Sequence, residues 1–283
     1  MSDPVLVTGA TGNTGAPVVA GLRGRGHRAR AASRHPDPAD ADAVAFDWSD
    51  DATFAPALTD VRAVYLVAPA GAADPVPSVR PFLHLAAARG VRRVVLLSSS
   101  AVERGHAGLG EIHDLVAGIF DEHAVLRPSW FMQNFVGDHP LAESIRRTRE
   151  IVTATGDGRL GFIDAADIAA VAVEALTASE PVGEDLVLTG PESLSYPEAA
   201  AIVSEVLGQP VRHVDVTTAE LARRLASAGY SAEFSDMLAA LDGRIRAGEQ
   251  DLVTTTVRDI TGRTPTSLRH FLAGHASRLA SSP

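Results

Sequence analysis

The sequence predicts an α/β protein, a doubly wound parallel sheet with a smaller C-terminal lobe. Three observations lead there. Short apolar runs alternate with stretches whose apolar residues recur at helical spacing, the pattern of parallel strands joined by crossover helices. A glycine-rich turn, GATGNTG from Gly9 to Gly15, separates the first strand-like run from the first helix-like one. Helix-rich sequence follows residue 150, so the expected division is a sheet domain over 1–150 and a mixed region over 151–283, which completes the sheet core and forms the smaller lobe.

The elements can be justified in order. Residues 4–8 (PVLVT) read as a short buried strand, and Val18, Val19 and Leu22 then recur at helical spacing. Gly24 and Gly26 stop that helix, HRARAAS (27–33) is a second strand, 35–42 a polar loop, and Ala43 to Asp47 a third strand. RAVYLVA (62–68) is the fourth. Val79, Phe82, Leu83 and Ala86 mark a helix face that Gly90 ends, VRRVVLL (91–97) is the fifth strand and HAVLR (123–127) the sixth. Beyond 150, Asp164 and Asp167 open a helix, better explained by capping and the helix dipole than by chemistry. EDLVLTG (184–190) is a strand. Ser195 with Glu198 and Thr217 with Glu220 have capping-box spacing, a further helix covers 231–247, and Thr264-Pro265 reads as the start of the last one.

Composition removes several classes of function. The 283 residues carry 25 basic and 35 acidic side chains, a net charge of −10, with 46% hydrophobic residues, so a folded core is expected and a nucleic-acid surface is not. No run of apolar residues is long enough for a membrane span, and MSDPVLVTGA does not read as a signal peptide. Cysteine is absent, which removes disulfides and thiolate chemistry. All 25 basic residues are arginine; without lysine there is no Schiff base, no P-loop lysine and no Tyr-x-x-x-Lys dyad. No His or acid pair has metal-ligand spacing. A cytoplasmic enzyme acting on a small molecule fits these limits, and a homodimer is compatible with them.

The glycine turn carries the clearest chemistry. At the first strand-to-helix turn, Gly9 permits the sharp bend, Gly12 lets backbone approach a pyrophosphate, and Gly15 lets helix and strand pack closely. Thr11, Asn13 and Thr14 complete the turn, and the helix N-terminus offers amides and partial positive charge to phosphate. A dinucleotide is the expected ligand. The second strand ends in Ser33 and Arg34, with no acid before Asp37. A guanidinium there suits a ribose 2′-phosphate, so NADP(H) is expected over NAD(H), with Arg23, Arg25 and Arg30 as neighbours able to share the role. Asp47 and Trp48 fall where adenine should lie; the alternative is a surface acid and a half-buried core aromatic. Ala68 and Pro69 line the expected ribose path. After the sixth strand, Pro128 belongs to the nicotinamide side, while Trp130, Phe131 and Asn134 are candidates for substrate contact. An aromatic wall there suits a quinone or polycyclic ring, the alternative being anchoring of the lobe.

VLVTGATGNTG, Ser33-Arg34, LRPSWFMQNF (126–135), GFIDAADIAAVAVEAL (161–176) and TGRTPTSLRHFL (261–272) together resemble the NmrA-like, atypical short-chain dehydrogenase/reductase group, including quinone-oxidoreductase and ergot-alkaloid-reductase types. The resemblance spans nearly the whole chain. It implies a Rossmann domain, NADP preference and a substrate cleft under a small C-terminal lobe. It also implies a catalytic place for Ser100, which matches the family's carbonyl-binding serine, and for His113, which falls in the segment where other members carry the tyrosine. Tyr65, Tyr196 and Tyr230 have no lysine four residues on, so the family's usual proton donor is missing. The expected function is an NADPH-dependent reductase of a small aromatic, quinone-like, enone or carbonyl substrate. Two rivals stand beside it: a non-catalytic NADP(H) sensor that binds a protein partner, and an isomerase or dehydratase.

Overall fold

The computed structural model describes residues 3–69, 71–72 and 74–280. In chain order the first elements are β1 (Val5–Val7), α1 (Gly15–Gly24), β2 (Ala29–Ser33), β3 (Ala43–Ala45), α2 (Phe54–Ala57), β4 (Ala63–Val67), α3 (Val76–Ala88), β5 (Arg93–Leu97), α4 (Leu109–Ile119) and β6 (Glu122–Pro128). Then come α5 (Pro140–Thr148), β7 (Glu150–Thr153), β8 (Arg159–Leu160), α6 (Ala165–Thr177), β9 (Asp185–Leu188), β10 (Leu194–Ser195), α7 (Tyr196–Leu207) and β11 (Arg212–Asp215). The C-terminal helices are α8 (Thr218–Ser227), α9 (Ala232–Arg246), α10 (Thr256–Thr261), α11 (Leu268–Gly274) and α12 (Ala276–Ala280).

A seven-stranded sheet runs in the order β3-β2-β1-β4-β5-β6-β9. β1 pairs in parallel with β2 (Val5 opposite Ala29) on one side and with β4 (Val5 opposite Ala63) on the other. The order therefore reverses between β1 and β4, and the crevice at their carboxyl ends is where such sheets bind ligands. These strands are continuous apolar runs because both faces of the sheet are covered. One face buries Leu6, Val64, Leu66 and Leu96 with Phe46, Phe54 and Phe82. On the other, α1 meets α6 where Gly21 leaves room for Val173; a Cβ at Gly21 would sit 3.0 Å from its methyl group.

The chain forms two compact units, and they do not divide at residue 150. The first contains 1–128, 165–187 and 259–262; the second contains 129–164, 188–258 and 263–283. The return of 165–187 has a plain cause: α6 and β9 complete the sheet layer, so the chain must re-enter it. In the second unit β7 pairs in parallel with β11 and β8 antiparallel with β10. Its core gathers Phe135, Phe162 and Tyr196 with Leu268, Phe271 and Leu272.

Local signals resolve unevenly. The Ser195–Glu198 capping box is complete in both directions. Thr217 caps α8 through the Glu220 amide, but the Glu220 carboxylate turns to Arg223 and Arg224 instead of closing the box. The last helical stretch starts not at Thr264-Pro265 but at Ser267, whose hydroxyl accepts from the His270 amide.

Candidate cofactor site and apolar cavity

The GATGNTG turn is built by steric necessity. Gly9 has φ +60°, in the left-handed region. The Gly12 amide donates to the Gly9 carbonyl at 2.9 Å. A Cβ on Gly15 would stand 2.1 Å from that same carbonyl oxygen, so no other residue fits there. A Cβ on Gly12 would meet only the Gly9 carbonyl, at 3.2 Å, and otherwise points into open space. Gly9, Thr11, Gly12 and Asn13 are exposed, whereas Thr14 and Gly15 are buried. The amides of Asn13, Thr14 and Gly15 donate to no acceptor among the described residues, although they open α1. Free amides at a helix N-terminus, with no side chain to keep a ligand away, fit a pyrophosphate. Thr8 fixes the crevice: its hydroxyl accepts from the Val67 amide at 2.7 Å and lies 3.2 Å from the Tyr65 carbonyl, tying the ends of β1 and β4 together.

Arg34 follows the last residue of β2 and is exposed, with no ion pair or hydrogen bond among the described residues. The neighbouring arginines are occupied. Arg23 pairs with Asp40 at 2.7 Å, Arg25 with Glu174 at 2.5 Å, and Arg28 with Asp42 at 2.6 Å. Arg30 donates to the Ala57 and Thr59 carbonyls. Of this group Arg34 is the one whose fork is open. Asp47 is only partly available for adenine: one oxygen accepts from the Ser49 amide (2.9 Å) and hydroxyl (2.7 Å), which hold the carboxyl below its usual range. Trp48 is half-buried and packs edge-on against Phe46 (4.8 Å), Phe82 (5.3 Å) and Phe54 (5.8 Å). It is chiefly a core aromatic. Ser33, Ala68 and Pro69 lie at the carboxyl ends of β2 and β4 and are half-buried.

At the ends of β5 and β6 the two catalytic candidates have separate partners. His113 is 3% exposed, and its Nε2 lies 2.7 Å from the hydroxyl of Ser98, not of Ser100. Burial, with Arg127 nearby, pushes the imidazole below its ordinary value, so it is neutral at pH 7. Ser100 is half-buried; its amide donates to the Pro128 carbonyl at 2.9 Å and its carbonyl accepts from Arg127 at 3.2 Å. Arg127 is in turn held by Asp185 at 3.0 Å. The buried Pro128 ends β6 and closes this ladder. Tyr65 lies fully buried in β4, where burial raises its phenol well above normal and Thr14 offsets that only in part.

The second unit contains a cavity of about 350 Å³. Trp130, Asn134, Tyr196 and Tyr230 line it together with leucines of α8 and α9 and the carboxyl of Asp242. Phe131 is not among its lining; its backbone bridges to Ile163, and the amide of Ile163 donates to the Trp130 carbonyl at 2.9 Å, which fixes the loop after β6. Burial pushes the Asp242 carboxyl up to about 6, against the pull of the Ala154 amide and Arg246.

Residues 9–179 match the family model described as NAD(P)H-binding. The chain belongs to this NAD(P)H-binding family. It is 44% identical over 277 residues to the uncharacterized oxidoreductase YesF of Bacillus subtilis, covering 97% of this chain and 96% of that protein. It is 43% identical over 237 residues to agroclavine dehydrogenase of Claviceps fusiformis, covering 80% of each. Among solved structures, the NADPH complex of the Escherichia coli quinone oxidoreductase QOR2 superposes with a TM-score of 0.81 at 24% identity, over 98% of this chain and 100% of that one. Triphenylmethane reductase of Citrobacter sp. gives 0.79 at 20%, over 96% and 99%; both show the fold. The chain is an NAD(P)H-dependent oxidoreductase.

In this NAD(P)H-binding protein the bound cofactor would supply a hydride, and the residues fit it at the β1–α1 turn. Three features went unread in the sequence. Ser98 is one of three consecutive serines, and only the turn of α4 shows which one His113 reaches. Thr8 looks like one more strand residue. Asp242 sits in a helix whose polar residues read as a solvated face, and no spacing signal connects it with Trp130, 112 positions earlier.

Proposed function

We propose that the chain is an NADPH-dependent reductase whose first unit holds the cofactor and whose second-unit cavity receives a flat, aromatic substrate: a quinone, an enone or an aromatic carbonyl compound. The observation that carries the reading is the cavity lining, in which Trp130, Tyr196 and Tyr230 stand with leucines beside polar residues such as Asn134, Ser144 and Asp242. The open Arg34 supports the choice of the 2′-phosphorylated cofactor, since each nearby arginine already has a partner. Ser100, at the strand edge of the cofactor unit that also carries Pro128, is kept as the candidate hydroxyl for the reduction. His113 acts through Ser98 as a positioning group, not as a direct proton donor. Names of relatives agree with this substrate class, since they include a quinone oxidoreductase and a triphenylmethane reductase.

A second reading has one observation in its favour. The chain has no lysine to assist a phenol, and Tyr65 and Tyr196 are both buried with their acidity suppressed. A protein that binds NADPH and senses it without turnover would need no proton donor. Purified protein with NADPH and a panel of quinones, enones and aromatic ketones separates the two. Cofactor consumption is expected, with Ser100→Ala reducing turnover at least about tenfold, roughly 1.4 kcal/mol of barrier, at unchanged NADPH affinity. Tight NADPH binding without consumption on any member of the panel would select the sensor.

A further inference from the structure

The reduction proposed above has to deliver a proton, and the chain has no lysine to assist a tyrosine. The second unit holds a different set of proton carriers. Thr153 ends β7, is 4% exposed and is part of the cavity wall. Its Oγ1 lies 2.7 Å from the hydroxyl of the fully buried Thr155 and 2.7 Å from Nε2 of His213 on β11. The parallel pairing of β7 with β11 builds this contact: His213 stands opposite Ile151, two residues before Thr153 and on the same face of the strand. His213 does not line the cavity itself. Its ring stacks on that of Tyr196, which does, at 6.2 Å, and it is half-buried, so solvent reaches it. The charged groups around the imidazole are Asp215 on its own strand, Asp157 in the turn after β7 and Arg246 on α9. Burial, with Arg246, outweighs the two carboxylates and holds the ring below the ordinary histidine value, so it is neutral at pH 7 and gains its proton as pH falls.

The inventory of donors decides where the protons point. The Thr155 hydroxyl has no other hydrogen-bond partner among the described residues, and a buried O–H without an acceptor is costly, so Thr155 donates to Thr153. Thr153 then has one proton of its own to place. When His213 is neutral with Nε2 bare, Thr153 donates to that nitrogen. When His213 is protonated, both ring nitrogens carry hydrogen, Nε2–H donates to Thr153, and the Thr153 proton is turned out into the cavity. We infer that Thr153 is the proton donor of this cavity and that His213 is the positioning residue that loads and aims it. As hydride from NAD(P)H reaches the substrate, the displaced C=O π pair collects on oxygen and takes the Thr153 proton. The Nε2–H proton of His213 passes to Thr153, leaving a neutral imidazole that solvent reprotonates, and NAD(P)H leaves as NAD(P)+. This rests on the reading above that the cavity takes the substrate, and it supplies the proton source that the missing Tyr-Lys dyad leaves open.

The test follows kcat/KM from pH 5.5 to 8 at saturating NADPH, for the member of the quinone, enone and ketone panel turned over fastest. In parallel the His213 ring is titrated by NMR in the full chain, its signal assigned by its loss in His213→Gln. The expected profile falls about tenfold per pH unit above the midpoint at which His213 titrates. His213→Gln keeps an N–H for Thr153 but cannot titrate. It is expected to be at least about tenfold slower at pH 5.5 and flat with pH, at unchanged NADPH affinity. Thr153→Val should show the same loss, and Thr153→Ser, which keeps the hydroxyl, should recover the sloping profile. A slope that persists in His213→Gln, even with a uniform drop in rate, would overturn the inference, as would full turnover in Thr153→Val; in either case the reductase reading stands. A kinetic midpoint more than about one unit from the NMR midpoint would overturn it as well. Absence of NADPH consumption on every member of the panel would overturn the reductase reading and the inference with it.

Discussion

On the proposed reading, the two units hold their ligands in opposite ways. In the first, the site is made of backbone: three glycines, free amides at the start of α1, and strand ends locked by Thr8. Its polar groups are few and placed by the turn itself. In the second, the site is made of side chains drawn from Trp130 to Asp242, and α8, which contributes much of the wall, has no fully buried residue. The first arrangement suits a ligand that never changes; the second can be redrawn by single substitutions without disturbing the sheet.

The contrast is broken most severely at Gly15. A methyl group there would collide with the Gly9 carbonyl. Gly15→Ala is therefore expected to weaken NADPH binding by more than 100-fold, about 2.7 kcal/mol, as read by fluorescence titration. A Gly15→Ala protein that binds NADPH normally would mean that the turn is a structural feature only.

Asp242 gives the next largest effect, and it is one of stability. Its carboxyl is raised from an ordinary 3.8 to about 6 in the folded protein, so the fold prefers it protonated. Stability is therefore lost as pH rises through that window, and the cost is complete above it. Asp242→Asn should raise the unfolding free energy at pH 7.5 by about 2 kcal/mol, and the gain should vanish below the lower limit of the window. Denaturant melts at both ends of the range check this. No gain at pH 7.5 would mean the charge is already compensated.

Arg34 should show the smallest effect and the most selective. NADPH is expected to bind at least tenfold more tightly than NADH, about 1.4 kcal/mol, and Arg34→Ala should remove most of that gap while leaving NADH affinity nearly unchanged. Equal affinities in the unaltered chain would contradict the NADPH preference; a gap that persists in Arg34→Ala would transfer the 2′-phosphate to another residue, although Arg23, Arg25 and Arg28 are already tied to carboxylates.

The same contrast explains what could be read in the sequence. The parallel sheet and the glycine turn were legible because backbone geometry imposes a residue pattern: apolar runs alternate with helical spacing, and Gly15 admits nothing larger. The capping box at Ser195 was legible for the same reason. The division at residue 128 was not, because nothing local marks where α6 and β9 return to the sheet. Nor was the partner of His113, since Ser98, Ser99 and Ser100 offer identical chemistry and only the orientation of α4 selects one. Trp48 was ambiguous in the sequence, and the aromatic cluster around Phe82 assigns it to packing. Asp242 was invisible because side chains that converge from α8, α9 and the loop after β6 leave no periodic trace.

The division of labour between the units is tested most directly by filling the cavity. Leu225 lines it from α8 and is half-buried, so Leu225→Trp should occupy the space without touching the sheet. Deuteride transfer from deuterated NADPH to a quinone or enone product is then followed alongside NADPH affinity. The expected result is loss of deuterated product by at least about tenfold with NADPH affinity unchanged. Full deuteride transfer in the filled variant would contradict the assignment of the cavity to the substrate.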